Sequence, residues 1–361
     1  MILEDRPYQN RIFNKAIQYY NEGVKSILIE SPMGSGKTIM ALQIIKELER
    51  TKNITTNWIA MRRNLLKQAS KMNEDSIKCE KINFISMFAK EFPPCDLMVI
   101  DEGHHFACAS AVHADSASRA SLILGLSATP FRTDRMQLSF EKIIKDAGIH
   151  RLIHDNYLCP FEHWIMEERW NATTVAGIYL REPEKWGKSV AFFFNHRECY
   201  KFQEILADKG IHCEVITHIT DREKQLDEFG AGKFNIVANM AILTEGFDCP
   251  ELKTVFVRDS SKLPTIQMAG RGLRKYEGKE HFNVVQSKHT NWPFNRTARP
   301  KHSYAQVNSK WLDLDGDSKA IEEAMKINMI KMIQSATKEN LLFNSKYWSS
   351  KRNKKRRRIE H

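Results

Sequence analysis

Two short stretches hold the side chains best suited to handle a phosphate group. The first is Ser31-Pro-Met-Gly-Ser-Gly-Lys-Thr38, lying between an apolar run, Ser26–Glu30, and an amphipathic one, Lys37–Arg50. In a loop of this kind the glycines let backbone N–H groups close around phosphate oxygens. The start of the following helix adds partial positive charge. Lys37 is then the cation that reaches the β and γ phosphates of a nucleotide, and Thr38 offers its hydroxyl to Mg²⁺. Ser31 stands where the strict pattern has glycine, but Gly34 and Gly36 supply the tight part of the loop; Pro32, Met33 and Ser35 complete it. The second stretch, Leu97-Met-Val-Ile-Asp101-Glu102, runs four apolar residues into two acids. Asp101 is the candidate Mg²⁺ ligand, directly or through water, and Glu102 the candidate general base for an attacking water. His104, His105 and His113 follow without a second ligand cluster at finger-like spacing, so zinc is not expected.

A strand–helix rhythm must position these groups. Ser26–Glu30, Asn57–Met61, Ile82–Ser86, Leu97–Asp101 and Ser121–Ser127 read as strands, and Met40, Ile44, Ile45 and Leu48 recur at helical spacing. The rhythm resumes with strands at Val190–Phe194, His212–Thr217, Ile236–Asn239, Thr254–Arg258 and Phe282–Val285, and a helix at Glu198–Lys209. It calls for parallel sheets covered by helices on both faces. The chain therefore reads as two α/β lobes of similar size, joined near residues 155–185, where Trp164–Leu180 shows no clean period. Beyond Ser287, Trp292-Pro-Phe-Asn and Arg299-Pro-Lys read as loop, Ser318–Phe343 as one long helix, and Lys351–Arg358 as a basic run.

Composition narrows the class. The 361 residues are 42% hydrophobic and 27% charged, which excludes wholesale disorder and fits two domains with a third small piece. No apolar run is long enough to span a membrane, and Met1–Arg6 lacks the pattern of a signal peptide. Seven cysteines without Cys-x-x-Cys spacing point to a reducing compartment. The formal charge is +11; residues 351–361 hold seven Lys or Arg and one Glu, so the tail gives +6 and the rest +5. Such an excess fits a polyanionic partner or a solvated terminus.

Further motifs stand in order along the chain: Arg6-Pro-Tyr-Gln9, Asp101-Glu-Gly-His104, Ser127-Ala-Thr129, Thr244-Glu-Gly-Phe-Asp248 and Gln267-x-x-Gly-Arg271-x-x-Arg274. With the phosphate loop, they resemble the superfamily 2 helicases of the DExH type over about residues 5–280. The Rad25/XPB-like and phage UvsW-like branch is the nearest in pattern. The segments Ile59–Leu66, Ile85-Ser-Met-Phe88 and Phe192-Phe-Phe-Asn195 depart most from the family's nucleic-acid motifs.

The resemblance implies two tandem RecA-like P-loop domains with ATP and Mg²⁺ between them. It implies a first domain over 1–155, a second over 156–290, and a small basic extension with helix and tail over 291–361. By the same resemblance Gln9 reads the adenine edge, with Arg6 and Tyr8 shaping its pocket, and His104 links the γ-phosphate side to Ser127 and Thr129. Arg271 and Arg274 serve as arginine fingers beside Gln267, and Gly246 and Asp248 lie at the lobe interface near the ribose. The implied activity is ATP-dependent unwinding or remodelling of branched DNA by a monomer, cytoplasmic in a bacterial or phage-infected cell and nuclear in a eukaryote. An RNA helicase on the same core is one alternative. A nucleic-acid-binding ATPase switch, or a restriction-type motor subunit that unwinds nothing alone, is another.

Among the remaining pieces, Asp313-Leu-Asp-Gly-Asp317 lacks the terminal Glu of a calcium loop and reads as a polar turn. Trp292, Phe294 and Trp311 are candidates for base stacking or for packing a small terminal element, with packing favoured.

Overall fold

The computed structural model of the chain describes residues 6–102, 116–128, 140–244 and 247–315. The expectations for His104, His105, His113, Thr129, Gly246, the 318–343 helix and the basic tail lie outside these residues.

The first lobe opens with α1 (Pro7–Asn21), whose first helical position is a proline with no N–H to leave unpaired. There follow β1 (Ser26–Glu30), α2 (Lys37–Lys52), β2 (Thr56–Ala60), α3 (Arg63–Met72), β3 (Ile82–Ser86), β4 (Leu97–Asp101), β5 (Leu122–Ser127) and β6 (Lys142–Lys145). Helix α2 stops at Asn53, which turns left-handed at φ 56° and donates its N–H to the Glu49 carbonyl. The six strands pair in the order β3-β2-β4-β5-β1-β6, all parallel. Strand β4 is buried at every position, as a central parallel strand covered on both faces must be.

The second lobe follows a short helix, α4 (Ile149–His154). It comprises β7 (Phe161–Met166), α5 (Ala172–Arg181), α6 (Pro183–Trp186), β8 (Ser189–Phe192), α7 (His196–Ala207), β9 (Cys213–Ile216) and α8 (Arg222–Gly230). Strands β10 (Ile236–Asn239) and β11 (Thr254–Phe256), helix α9 (Lys262–Ala269), and strands β12 (Phe282–Ser287), β13 (His302–Val307) and β14 (Lys310–Asp313) complete it. Asn171, Asn195 and Asp221 cap α5, α7 and α8 by accepting from backbone N–H groups three residues on. The eight strands run β14-β13-β7-β12-β11-β8-β10-β9, parallel except for the β13–β14 hairpin.

That hairpin is a finding beyond the sequence reading. Residues 302–313 lie in the stretch expected to form a separate extension, yet they add two strands to the second sheet. Trp164 of β7 stacks on Tyr304 at 3.8 Å and meets Trp311 edge-on at 5.1 Å, while the Lys185 ammonium lies 3.9 Å from the Trp164 ring centroid. Phe294 is fully buried, edge-on to Phe161 at 4.9 Å. Trp311 and Phe294 thus pack, as favoured from sequence. One apolar core runs from Tyr8, Ile12 and Met40 in the first lobe through Leu158 and Phe161 to Val255 and Phe282 in the second.

Candidate nucleotide site between the lobes

The C-terminal ends of parallel strands form the crevice where ligands bind in open α/β sheets. Here β1 delivers Ser31, β4 delivers Asp101 and β5 delivers Ser127. The Ser31 N–H donates to the Ser127 carbonyl at 3.0 Å, which fastens the start of the phosphate loop to the neighbouring strand.

The loop is held by its own backbone. Gly34 and Gly36 sit at φ 76° and 83°, the left-handed region that a side chain resists. At Gly36 space is also short, since an added Cβ would lie 2.4 Å from Gln9 Nε2. The Ser31 hydroxyl donates to Ser35 Oγ at 2.7 Å, and the Ser35 hydroxyl to the Pro32 carbonyl at 2.6 Å. Lys37 and Thr38 open α2, sixteen residues long, so its N–H groups and positive end face the loop. The Lys37 ammonium donates to the Ser31 and Pro32 carbonyls at 3.1 and 3.3 Å. Burial lowers its pKa, the charges of Glu102 and Asp101 oppose that shift, and Arg271 and Arg274 reinforce it.

Asp101 is buried at the end of β4, and its pKa is raised chiefly by that burial, then by the Glu102 charge, against the pull of Lys37. Glu102 takes φ 57° and donates its N–H to Asp101 Oδ1 at 3.1 Å. The turn puts two carboxylates at one strand end. The Asp101 carboxylate and the Thr38 hydroxyl are hard oxygen donors of the kind that suit Mg²⁺ carried on a triphosphate. The residues present therefore fit both groups: N–H donors and Lys37 for phosphate, Thr38 and Asp101 for the metal.

The upstream motif packs onto this loop. Tyr8 Oη and Gln9 Nε2 both donate to the Ser35 carbonyl, at 2.6 and 2.8 Å. Arg6 Nη1 donates to Tyr8 Oη at 3.4 Å. Tyr157 was not found from sequence; it meets Tyr8 edge-on at 5.2 Å and lies under the Arg6 guanidinium at 5.6 Å. It comes from the segment between the lobes, where no pattern marks it.

The second lobe supplies the opposite wall. Arg271 follows α9 and donates through Nη1 to the Phe247 carbonyl at 2.9 Å. Arg274 Nη1 pairs with Asp248. Gln267 lies on α9, half-buried. The lobes meet closely: a Cβ at Gly34 would lie 3.4 Å from Arg274 Cγ, and one at Gly270 would lie 3.0 Å from Met33 Sδ. The structure thus gathers Arg6, Tyr8, Gln9, residues 31–38, Asp101, Glu102, Asp248, Arg271 and Arg274 about one cleft. A further residue missed from sequence is Lys279, which touches both second-lobe loops.

Two parallel sheets, one carrying a phosphate loop and the other a pair of arginines that face it, define the class of tandem RecA-like P-loop proteins. Residues 2–92 match the family described as Type III restriction enzyme, res subunit, and residues 172–276 match the Helicase conserved C-terminal domain. The putative ATP-dependent helicase IRC3 of Saccharomyces cerevisiae is 24% identical over 349 residues, covering 78% of this chain and 51% of that protein. On both family matches and this relative, the chain resembles the superfamily 2 helicases. It spans about half the length of the curated relatives it matches, 51% and 57% for the two yeast proteins.

Two solved structures share the fold. The ATP-dependent Type ISP restriction-modification enzyme LlaBIII, bound to DNA, gives a TM-score of 0.57 at 17% identity over 79% of this chain and 27% of that one. Saccharomyces cerevisiae Dbp5, bound to RNA and ADP BeF3, gives 0.53 at 13% identity over 80% and 89%. Among the described residues no helix is long and apolar enough to cross a membrane.

Proposed function

We propose that this chain hydrolyses ATP to drive movement along nucleic acid, DNA above all. The observation that carries the reading is the shared cleft: Gly34 of the phosphate loop lies within van der Waals reach of Arg274 in the other lobe. A ligand that engages both walls favours the closed arrangement, because only that arrangement makes both sets of contacts. Lys37 would exchange its carbonyl partners for β and γ phosphate oxygens, and the N–H groups at the start of α2 would take the remaining charge. Mg²⁺, held through Thr38 and Asp101, would supply charge neutralisation at the phosphates. Glu102 would accept the proton of the attacking water. Arg271 and Arg274 would stabilise charge spread over the transferring phosphoryl oxygens. Gln9, Tyr8 and Arg6 would tie nucleotide contact to the loop through Ser35, with Gln267 beside the arginines.

The polynucleotide grip would lie at the same strand ends. Phe88 after β3 and Phe194 after β8 are 63% and 47% exposed, and the Arg258 guanidinium lies 5.2 Å from the Phe194 ring centroid. Exposed aromatics with a neighbouring cation suit unstacked bases and their phosphates. The +6 tail over 351–361 adds sequence-indifferent attraction.

The test is the steady-state ATPase rate without nucleic acid and with single-stranded DNA, branched DNA or RNA, using Lys37→Ala as the blank. Stimulation by DNA over RNA is expected, strongest with branched DNA. Stimulation by RNA alone would reassign the motor to RNA, and indifference to every nucleic acid would remove the motor reading. A second reading, a motor subunit that unwinds nothing alone, is favoured by the restriction-enzyme family matched over residues 2–92. A strand-displacement assay separates it from a free-standing helicase.

A further inference from the structure

Lys279 follows Gly278 in the turn that leads from the arginine loop into β12. Its ammonium donates to the Pro250 carbonyl at 3.0 Å, the Gly272 carbonyl at 2.8 Å and the Arg274 carbonyl at 3.0 Å. An ammonium has three protons to donate and no acceptor, so this one is fully used. The same ammonium lies over the Phe282 ring, 5.5 Å from the centroid. Burial lowers its pKa to about 8, and the neighbouring Cys159 and Cys249 oppose that shift. Both thiols are themselves pushed up by burial, so neither supplies a counter-charge at neutral pH.

The three acceptors come from two different loops. Pro250 follows the segment that carries Phe247 and Asp248, while Gly272 and Arg274 belong to the loop of Arg271 and Arg274. Without a cation among them, three carbonyl oxygens would converge with no donor, which is costly in a buried place. Other contacts fix the same loop from outside. The Leu273 carbonyl accepts from the Cys159 N–H at 2.8 Å, and Lys275 donates to the Asn156 carbonyl at 2.9 Å. Gly272 has no room to shift towards β12, since an added Cβ would lie 2.0 Å from Phe282 Cδ2.

We propose that Lys279 is a positioning residue for ATP hydrolysis: it locks the loop of Asp248 to the loop of Arg271 and Arg274, and so sets both guanidiniums towards the phosphate loop. The inference rests on the proposed function and deepens it by naming what aims the arginines. Lys279 acts through backbone carbonyls and touches no phosphate. A group preorganised in this way loses rate when it is misplaced by about 1 Å, on the order of a hundredfold at most.

The experiment uses the full chain and compares wild type with Lys279→Met, Arg274→Ala and the double variant. kcat and KM for ATP are measured under saturating single-stranded DNA, well below each protein's Tm. Lys279→Met, which keeps the stem and removes the charge, is expected to lower kcat about tenfold to a hundredfold while KM changes less than about threefold. Added to Arg274→Ala, it should lower kcat by a smaller factor than it does alone, because one of the two arginines it aims is already gone. Wild-type kcat in Lys279→Met, or a full multiplicative loss in the double variant, would overturn the proposal. Should Lys279→Met fail to fold, Lys279→Gln retains two donors. A kcat loss of several-fold that shrinks in the Arg274→Ala background supports the proposal, and wild-type kcat overturns it. If Lys37→Ala hydrolyses ATP as fast as wild type, the functional reading itself has failed. If Lys37→Ala and Arg274→Ala are inactive while Lys279→Met is normal, only the positioning role has failed.

Discussion

The phosphate loop and the arginine loop face each other across one cleft, but they are built in different ways. Residues 31–38 take their shape chiefly from neighbours in sequence, through two left-handed glycines, a Ser31–Ser35 hydroxyl bridge and the first turn of α2, with Tyr8, Gln9 and Ser127 of the same lobe fastening it. Residues 270–274 take theirs chiefly from side chains of other segments: Asp248 on Arg274, Phe247 on Arg271, and Lys279, which joins the Gly272 and Arg274 carbonyls to that of Pro250. A loop fixed by local backbone survives movement of the lobe it faces. A loop fixed by side chains from several segments can be retuned when any of those segments moves, which suits the wall that must respond to hydrolysis.

The contrast can be attacked directly, beginning where the effect is greatest. Lys37→Ala should abolish measurable ATP turnover while leaving nucleic-acid binding near wild type, read by turnover and by fluorescence anisotropy on one preparation. Arg274→Ala should lower kcat by about a thousandfold with a smaller change in ATP affinity, as expected for a finger that acts on the transition state. Equal losses in kcat and affinity would mean that the arginine wall grips the ground state as well. Gly36→Ala probes the local side: strain at φ 83° and the displaced Gln9 should cost about 1–2 kcal/mol of stability. Gln9→Ala should relieve part of that loss in a double-mutant cycle.

A gentler lever separates the lobes by pH. His163 on β7 is 1% exposed, its Nε2 lies 3.1 Å from Gln286 Oε1, and burial depresses its pKa to about 4. Between that value and the unfolded value of about 6.5 the unfolded chain binds more protons, so stability falls as pH drops through this window. The second lobe should lose on the order of 3 kcal/mol between pH 6.5 and 4 from this group alone, and His163→Gln should flatten the slope. Urea melts followed at Trp164 and at Trp58 report the two lobes separately.

The same division explains what the sequence made legible. Ser31–Thr38 announces itself because its physics is contiguous: a strand, glycines that permit positive φ, then a helix start. Asp101 was readable because four apolar residues lead into it. Arg271 and Arg274 were found only through the order of motifs, since nothing in their immediate surroundings demands an arginine. Lys279 was invisible, because one of its acceptors comes from residue 250, nearly thirty residues away. Strand β7 escaped for a related reason. Glu162 and His163 break its apolar run, and their burial is made tolerable by Gln286 and His281, more than a hundred residues away. No strand was expected over residues 302–312, between the Arg299–Lys301 loop and the Asp313–Asp317 turn, because the packing surface of the hairpin β13–β14, Trp164, belongs to a strand that had not been recognised.

That hairpin bears on how the protein can be handled in pieces. A fragment ending near residue 290, where the second lobe is expected to stop, would strip β13 and β14 from the outer edge of β7. It would leave unpaired strand amides beside a bare Trp164 face, the kind of edge on which chains recruit one another. Such a fragment should aggregate on expression, whereas one carried through Asp315 should stay in solution, as light scattering of the two would show. For this molecule the boundary of recognisable motifs and the boundary of a self-sufficient folding unit fall at different residues.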